Sequence, residues 1–365
     1  MMVKSKTVEL NILKGILWVY IILCLIIAGL NYGYADKATP EVADLISSFW
    51  HLYENWIKTA FIIAGSILTL RIVRADHSSM RRKNLIGFII AALVVHIAGP
   101  VLLHNNELYF FAMPLPWTTT PLQLLDPQSS FYLSRVPVWG SAVISASLVF
   151  YLGISIVVFG GTILFGRRWQ CSTLCLFNGF AAEVFDLSFP LLGKKGKMTQ
   201  AKLAVFSWLR WLFLIGALFF TVSWIMHLSG VSSAGNMEII SNIELYKYLG
   251  AELLMMMFFW IAFVGRGYCY YCPLGTVLAI IGKVSGQRII TNKTRCIRCN
   301  QCNLACSMSI DIKSRAQEGN DVTSLRCVGC GHCIDACSTS TLAYSTKFLS
   351  WFTNKKVSNT SNEAG

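Results

Sequence analysis

The chain contains 13 cysteines, and most of them fall in short, repeated spacings. Two runs share the pattern C-x2-C-x2-C-x3-C, namely Cys296, Cys299, Cys302 and Cys306, then Cys327, Cys330, Cys333 and Cys337. A [4Fe–4S] cubane needs four converging thiolates, and in two-cluster ferredoxins the fourth cysteine of each run binds the other cluster. The spacing therefore predicts two clusters, the first held by Cys296, Cys299, Cys302 and Cys337 and the second by Cys327, Cys330, Cys333 and Cys306.

Structural zinc is the alternative for these two runs, because it also takes four thiolates. A duplicated triplet-plus-one pattern fits zinc poorly, and an odd number of closely spaced cysteines fits a disulfide framework poorly. The residue after each run departs from the usual pattern, since Ser307 and Ser338 stand where a proline is expected. This departure affects the expected reduction potentials more than the choice of ligands.

Four more cysteines form two pairs within an internal repeat. The first copy reads Gly166-Arg167-Arg168-Trp169-Gln170-Cys171 and continues to Cys175; the second reads Gly265-Arg266-Gly267-Tyr268-Cys269 and continues to Cys272. A small turn residue follows each pair, Gly179 in one copy and Gly275 in the other. Each copy comes directly after a long apolar stretch, which predicts that the two pairs occupy equivalent positions.

These four cysteines could serve several chemical roles. Together they could hold a third iron–sulfur cluster or another metal centre, they could form redox-active dithiols, or they could bind copper(I), which favours soft sulfur ligands. Packing at helix ends is the plain alternative, because buried cysteine behaves as a small hydrophobic residue. Cys24 stands alone within an apolar stretch and is assigned to packing.

The composition identifies the elements that must position these cysteines. The 365 residues are 55% hydrophobic and 13% charged, with a mean hydropathy of +0.55, which is far from a soluble domain. About 20 apolar residues in a helix span a bilayer. Six stretches qualify, the second of them only with its flanks: 12–30, 56–70, 85–103, 140–165, 203–228 and 249–264.

The distribution of basic residues predicts the orientation. Most of the 31 Lys and Arg precede the first stretch, join the second to the third, join the fourth to the fifth, or follow the sixth. Cytoplasmic loops carry such an excess, so both termini and both cysteine pairs are predicted to lie on the cytoplasmic side. The net charge of +13 therefore does not indicate nucleic-acid binding. The long aromatic loop 104–138 is predicted outside, in the membrane interface or over a partner.

The predicted fold class is an all-α polytopic membrane protein with a small C-terminal α+β ferredoxin domain of the bacterial 2[4Fe–4S] type. Four regions follow from this: a transmembrane hairpin with its basic loop at 1–84, an electron-transfer core at 85–290, the ferredoxin domain at 291–345, and a flexible tail at 346–365. The ferredoxin region is too short to hold a catalytic domain beside two clusters. The chain is therefore interpreted as an electron relay that requires partners.

Several ionisable residues at the outward half of the membrane are candidates for a quinone or proton site: His96, His104, His227 and Glu107. Ionisable groups at such depths are functional candidates by default. Histidine with a carboxylate suits the proton chemistry of a quinone. Haem ligation by two facing histidines is a less favoured alternative. In a further alternative the histidines have no functional role and simply contact water at the membrane headgroups.

With these motifs the chain resembles the NapH/NosR-type membrane polyferredoxins, and most closely the NapH-like membrane subunits of quinol dehydrogenases. The motifs that carry the resemblance are those at 166–175 and 265–273, the Cys272-Pro273-Leu274-Gly275 turn, and the runs at 296–306 and 327–337. It covers roughly residues 140–345. In that family both membrane pairs read C-x3-C-P, whereas here Leu176 follows the first pair and the second reads C-x2-C-P.

The resemblance implies electron transfer between the quinone pool and redox partner proteins (iron–sulfur, flavin or cytochrome subunits) in a prokaryotic cytoplasmic membrane. The ferredoxin domain would lie in the cytoplasm, and the chain would be one subunit of an oxidoreductase complex. Related family members also assemble metallocentres or handle copper, so an accessory protein for metallocentre assembly or metal reduction is the alternative function. Phosphate-binding loops, dinucleotide fingerprints and nucleophile elbows are absent from the sequence.

Overall fold

The computed structural model describes residues 2–73, 79–188, 198–231, 235–262 and 266–352, and this part of the chain is mostly helical. The first helices are α1 (Met2–Gly33), α2 (Pro40–Leu52), α3 (Lys58–Ile72), α4 (Ser79–Ala92), α5 (Gly99–Leu103), α6 (Thr120–Gln123) and α7 (Ser130–Phe165). They are followed by α8 (Asn178–Ser188), α9 (Gln200–Leu228), α10 (Gly235–Lys247), α11 (Met255–Ala262) and α12 (Pro273–Val284).

Four helical segments are long and apolar enough to cross a membrane: Thr7–Gly33, Ser79–Leu103, Ser130–Phe165 and Gln200–Leu228. They coincide with the first, third, fourth and fifth predicted spans. The second and sixth predicted spans fall on α3 and α11, which are not among the four within the described residues, and 263–264 lie outside those residues. A six-span arrangement with both termini inside therefore stays a prediction.

Wide π-helical turns interrupt or precede several of these helices. They lie at Tyr53–Ile57 between α2 and α3, at Leu93–Ala98 between α4 and α5, at Trp169–Leu174 before α8, and at Tyr248–Leu254 between α10 and α11. Such turns are rare and frequently occur at functional sites, because the extra residue redirects side chains. Their positions therefore mark where the membrane part should be searched for a site.

The loop 104–138 folds back between the helices. Leu108 and Phe111 are completely buried. Farther along, the backbone N–H of Leu115 donates to the Tyr151 hydroxyl at 3.0 Å, and the Trp117 indole donates to the Tyr268 hydroxyl at 3.2 Å. Tyr268 belongs to the second cysteine motif, so this loop reaches inward to that motif. Non-helical backbone at membrane depth is tolerated where it is buried in protein.

The C-terminal unit is a compact α+β arrangement that begins ahead of the predicted boundary at 291. Its strands β1 (Arg288–Thr291) and β2 (Leu342–Ser345) pair antiparallel. Between them lie three short helices, α13 (Gln301–Leu304), α14 (Ile312–Glu318) and α15 (His332–Asp335). Of the predicted tail, residues 347–352 are helical and 353–365 lie outside the described residues.

Candidate redox centres and an adjoining cavity

The cysteines of the C-terminal unit divide into two groups across the two runs. Cys306 lines one small apolar cavity together with Cys327, Cys330 and Cys333. The electrostatic neighbours of Cys302 are Cys337, Cys296 and Cys299. Each group thus takes three cysteines from one run and the fourth from the other, which is the grouping that the spacing predicts for two clusters.

The surroundings of these thiols suit metal ligation. Burial, followed by the neighbouring Cys330, raises the pKa of the Cys306 thiol to about 12, so the thiolate needs a cation to exist there. A bound metal deprotonates a coordinating thiol outright. In the described part of the chain no three His, Cys, Asp or Glu side chains are arranged around a single metal ion. The irons of a cubane are separate atoms, and each takes its own thiolate.

The four cysteines of the internal repeat converge on one pocket. Cys171 and Cys175 come from the turn before α8, and Cys269 and Cys272 come from the turn before α12; all four line the same cavity. Cys171 and Cys269 are buried, and the other two are partly buried. The repeat therefore brings two distant parts of the sequence to a single site, hereafter the four-cysteine pocket.

Each copy of the repeat places its second cysteine at the start of a helix. The Cys272 sulfur accepts the backbone N–H of Gly275 at 3.3 Å, and the Cys175 sulfur accepts backbone N–H groups of Phe177 and Gly179. A methyl group on Gly179 would lie 2.8 Å from the Cys171 carbonyl oxygen. Glycine is thus required at position 179 because the backbone of Cys171 approaches so closely. Hydrogen bonds from backbone amides to sulfur, such as those to Cys175 and Cys272, set the reduction potential of metal–thiolate centres.

The two repeat arginines cross between the copies. Arg167 of the first copy donates to the Cys269 carbonyl at 3.3 Å, and Arg266 of the second donates to the Cys171 carbonyl at 3.0 Å. Arg167 also donates through Nε to the Cys171 sulfur at 3.3 Å. Both guanidinium groups are almost completely buried. The Gly-Arg signature therefore has a structural reason: each arginine ties its copy to the cysteine turn of the other.

A larger apolar cavity of about 290 Å³ adjoins the four-cysteine pocket. Every π-helical turn of the described residues contributes to its wall, for example through Glu54, His96, Gln170 and Tyr248. Four side chains line both cavities: Met113, Trp117, Gln170 and Phe177. The two spaces are therefore separated by no more than one layer of side chains.

The polar groups of the large cavity are few and partly without partners. Lys58 donates to the Glu54 carboxylate at 2.6 Å. His96 Nδ1 and Gln170 Oε1 are buried and have no hydrogen-bond partner among the described residues. The exposed side chains of Ile90, Val94 and Val157, on candidate membrane-spanning segments, also line this cavity. The cavity therefore combines an apolar entrance with a small set of proton-exchanging groups, as ligand sites usually do.

Comparison with known families decides the nature of the C-terminal unit. Residues 295–342 match the 4Fe-4S dicluster domain. The unit is a dicluster ferredoxin domain, hereafter the dicluster domain. This match and the four apolar helices suggest a membrane protein that transfers electrons.

One relative adds a likeness over a larger part of the chain. It is an uncharacterized protein of Methanocaldococcus jannaschii, 24% identical over 202 residues, which are 52% of this chain and 71% of the relative. Because that protein is uncharacterized, the likeness carries no activity. No solved structure matches the chain.

The dicluster domain is docked directly on α4, part of a candidate membrane-spanning segment, and on the turns of the repeat. The hydroxyl of Ser172 donates to the Val328 carbonyl at 2.8 Å, and Asn84 donates to the Cys330 carbonyl at 2.9 Å. The Asp335 carboxylate accepts the backbone N–H groups of Met80 and Arg81 at 3.1 and 3.0 Å, and so caps the start of α4. The two cysteine systems are thereby in contact.

A buried carboxylate joins these parts. Glu183 on α8 accepts from Arg81 at 2.7 Å and lies 2.8 Å from His332 of the dicluster domain. Arg266 is 3.8 Å away. Burial alone would raise the pKa of Glu183, but the neighbouring His332, Arg81 and Arg266 hold this pKa well below its usual range. Glu183 is therefore ionised and links α4, α8, the repeat and the dicluster domain.

The four residues predicted for a quinone or proton site are not brought together. His96 lines the large cavity. His104 is exposed, Glu107 forms an ion pair with Arg135 at 2.9 Å, and His227 lies 3.0 Å from Asp126. These last three residues do not line the large cavity, and their assignment to a quinone site stays a prediction.

Sequence reasoning did not pair Glu54 with Lys58, and both side chains line the large cavity together with His96. The signal was present, because the stretch 56–70 was accepted as a span only with its flanks and contains Lys58. An acid and a base four residues apart in an apolar helix form a pair on one face. Ionisable residues at membrane depth mark functional sites by default.

Proposed function

We propose that the protein is a membrane-embedded electron-transfer subunit that exchanges electrons between the quinone pool and redox partner proteins, as a NapH-like component of a quinol dehydrogenase. The observation that carries this proposal is the shared wall between the large cavity and the four-cysteine pocket, which in turn contacts the dicluster domain. This continuity supports a route from a quinone in the cavity toward the dicluster domain, or in reverse.

The chemistry of the cavity suits a quinone headgroup. Oxidation of a quinol to a quinone releases two electrons and two protons, and reduction takes up the same number. His96 Nδ1 and Gln170 Oε1 are positioned to contact the oxygen atoms of such a ring, since neither has another partner in the described chain. The Glu54 carboxylate and the Lys58 ammonium group can exchange protons. The two [4Fe–4S] clusters, when bound, supply one-electron steps.

The partners follow from the small size of the dicluster domain. It holds clusters but no catalytic domain, so we propose that an iron–sulfur, flavin or cytochrome subunit docks on it. Arg295, Arg298 and Lys313 give its surface a basic character that would favour an acidic partner. We place the protein in a prokaryotic cytoplasmic membrane with this domain in the cytoplasm, as the distribution of Lys and Arg predicts.

The direct test is reduction of the clusters by a short-chain menaquinol or ubiquinol under anaerobic conditions. We expect rapid reduction in the native protein and a loss of at least tenfold in rate for His96→Leu and for Lys58→Met. His104→Leu is the matched control, because that histidine is exposed and outside the cavity. Equal rates in all variants would contradict the quinone site.

A potentiometric titration followed by electron paramagnetic resonance gives the direction. Cluster midpoints near those of quinones would support quinol oxidation. Midpoints near −400 mV, as in plant-type ferredoxins, would indicate a low-potential donor that feeds electrons into the membrane. Copper binding at the four-cysteine pocket with no response to quinol would favour the accessory role in metallocentre assembly or metal reduction instead.

A further inference from the structure

We propose that the four-cysteine pocket holds a third iron–sulfur cluster, with one ligand each from Cys171, Cys175, Cys269 and Cys272. The assignment goes beyond the quinone-linked function and does not depend on it. It concerns a site that lies outside residues 295–342 of the dicluster domain.

The first argument is convergence. Two turns about a hundred residues apart bring all four sulfurs to one cavity, and packing alone does not require four cysteines there. The sulfurs of Cys175 and Cys272 accept backbone N–H groups at the starts of α8 and α12. Iron–sulfur clusters are held by four thiolates whose sulfurs accept such hydrogen bonds.

The second argument is charge. Arg167 lines the pocket, is 1% exposed, and has no carboxylate within ion-pair distance among the described residues. The ionisable side chains nearest to it are the thiols of Cys171, Cys269 and Cys272. A buried guanidinium without an anion is costly. Four neutral thiols supply no negative charge, whereas an iron–sulfur cluster with four thiolates is an anion.

The third argument is position. The Arg167 guanidinium touches the Cys171 sulfur and also donates to the Leu325 carbonyl at 3.0 Å, beside the second dicluster run. Gln287 bridges the Arg167 backbone N–H at 2.7 Å and the Cys327 carbonyl at 2.9 Å. On the other side, Trp117 and Phe177 line the large cavity as well. A one-electron carrier here would connect the two.

The test is the iron and acid-labile sulfide content of the full-length protein purified anaerobically in detergent, with Mössbauer spectra. We expect more iron per chain than two [4Fe–4S] clusters contain. The double variant Cys171→Ser/Cys272→Ser should lose this surplus completely while both dicluster signals remain. Cys24→Ser is the matched control, since this buried cysteine lies outside both cavities, and it should keep the full content.

Each other result overturns the proposal. A native protein with no iron beyond the two dicluster clusters, or copper in its place, excludes a third cluster directly, even if the serine variants fail to fold. A surplus that survives in the double variant assigns the extra iron elsewhere. Because no quinone is present in this measurement, its outcome is separate from that of the cluster-reduction experiment.

Discussion

The dicluster domain and the four-cysteine pocket gather cysteines in different ways. In the dicluster domain, short runs supply three cysteines each from a single loop, and Cys299 is exposed. In the pocket, two turns from distant parts of the chain contribute two cysteines each, and buried arginines cross between them. The dicluster ligand sets are therefore encoded locally, whereas the four-cysteine pocket depends on the packing of distant helices.

This difference predicts how each centre fails. A cluster whose ligands lie in short runs should be lost only when a ligand or its loop is changed, because the loop by itself positions those ligands. A centre built from distant turns should also be lost through substitutions that never touch a sulfur. The following variants test this contrast, from the largest expected effect to the smallest.

Cys302→Ser should remove one dicluster cluster and leave the other. Serine oxygen is a harder ligand than thiolate, which is the ligand iron–sulfur clusters prefer. Iron analysis and electron paramagnetic resonance of the dithionite-reduced protein would measure the loss. Full retention of both cluster signals would show that the grouping of Cys302 with Cys296, Cys299 and Cys337 is incorrect.

Glu183→Gln should loosen the docking of the dicluster domain, at a cost of about 3–5 kcal/mol, because it leaves the buried Arg266 without its carboxylate. Hydrogen exchange of the amides in 288–345 would report the change at neutral pH. Asp321→Asn is the control; Asp321 pairs with Arg288 at the surface, and such pairs contribute about 1 kcal/mol or less. Equal exchange in both variants would contradict a linking role for Glu183.

The same carboxylate predicts a pH dependence with a defined sign. Because the folded-state pKa of Glu183 is lowered from its ordinary 4.5, its ionised form stabilises the docked state above that pH. This contribution should decline as the pH falls below the unfolded value. Thermal unfolding followed from pH 7 to pH 3 should show a steeper acid-side loss in the native protein than in Glu183→Gln. Parallel curves for the native protein and the variant would exclude Glu183 as the source of the pH dependence.

Gly179→Ala should disturb the pocket without altering a cysteine. The added methyl would lie 2.8 Å from the Cys171 carbonyl oxygen, and that backbone atom also accepts from Arg266. Overpacking of this kind costs about 1–3 kcal/mol. Gly216→Ala on α9 is the control, since nothing lies within 4 Å of the new methyl. We expect the iron attributed to the pocket to fall in the first variant and to stay in the second.

Asp335→Ala should have the smallest effect, about 1 kcal/mol, because it removes the cap of α4 but no cluster ligand. Chemical denaturation monitored by tryptophan fluorescence would measure it. Iron content should stay unchanged. A loss of iron would indicate that this cap also positions the cysteines of the second run.

How well each region could be predicted depends on how far apart in the sequence its contacting residues lie. The grouping of the eight dicluster cysteines was predicted from spacing alone, because both runs lie within residues 296–337. The internal repeat indicated that the four remaining cysteines belong together. The crossed arginines could not be foreseen, since Arg167 and Arg266 contact the copy to which they do not belong in sequence.

The large cavity was even less accessible to sequence reasoning. Its polar groups come from separate π-helical turns, and no local pattern joins Glu54 to His96. The candidates His104 and His227 were chosen for their predicted depth, which does not determine the direction of a side chain. The loop 104–138 was predicted to lie outside, which stays a prediction, but the burial of its side chains Leu108, Phe111 and Trp117 could not be foreseen.

The cap of α4 by Asp335 has a consequence for the biogenesis of the protein. The start of this helix is completed by a residue that leaves the ribosome some 250 residues later, from a loop shaped by cluster ligands on either side. A nascent chain that has not received its iron would therefore present α4 without the cap that Asp335 provides. Metal insertion would thus serve as a maturation checkpoint, in which chains lacking cofactor are exposed to proteolytic quality control.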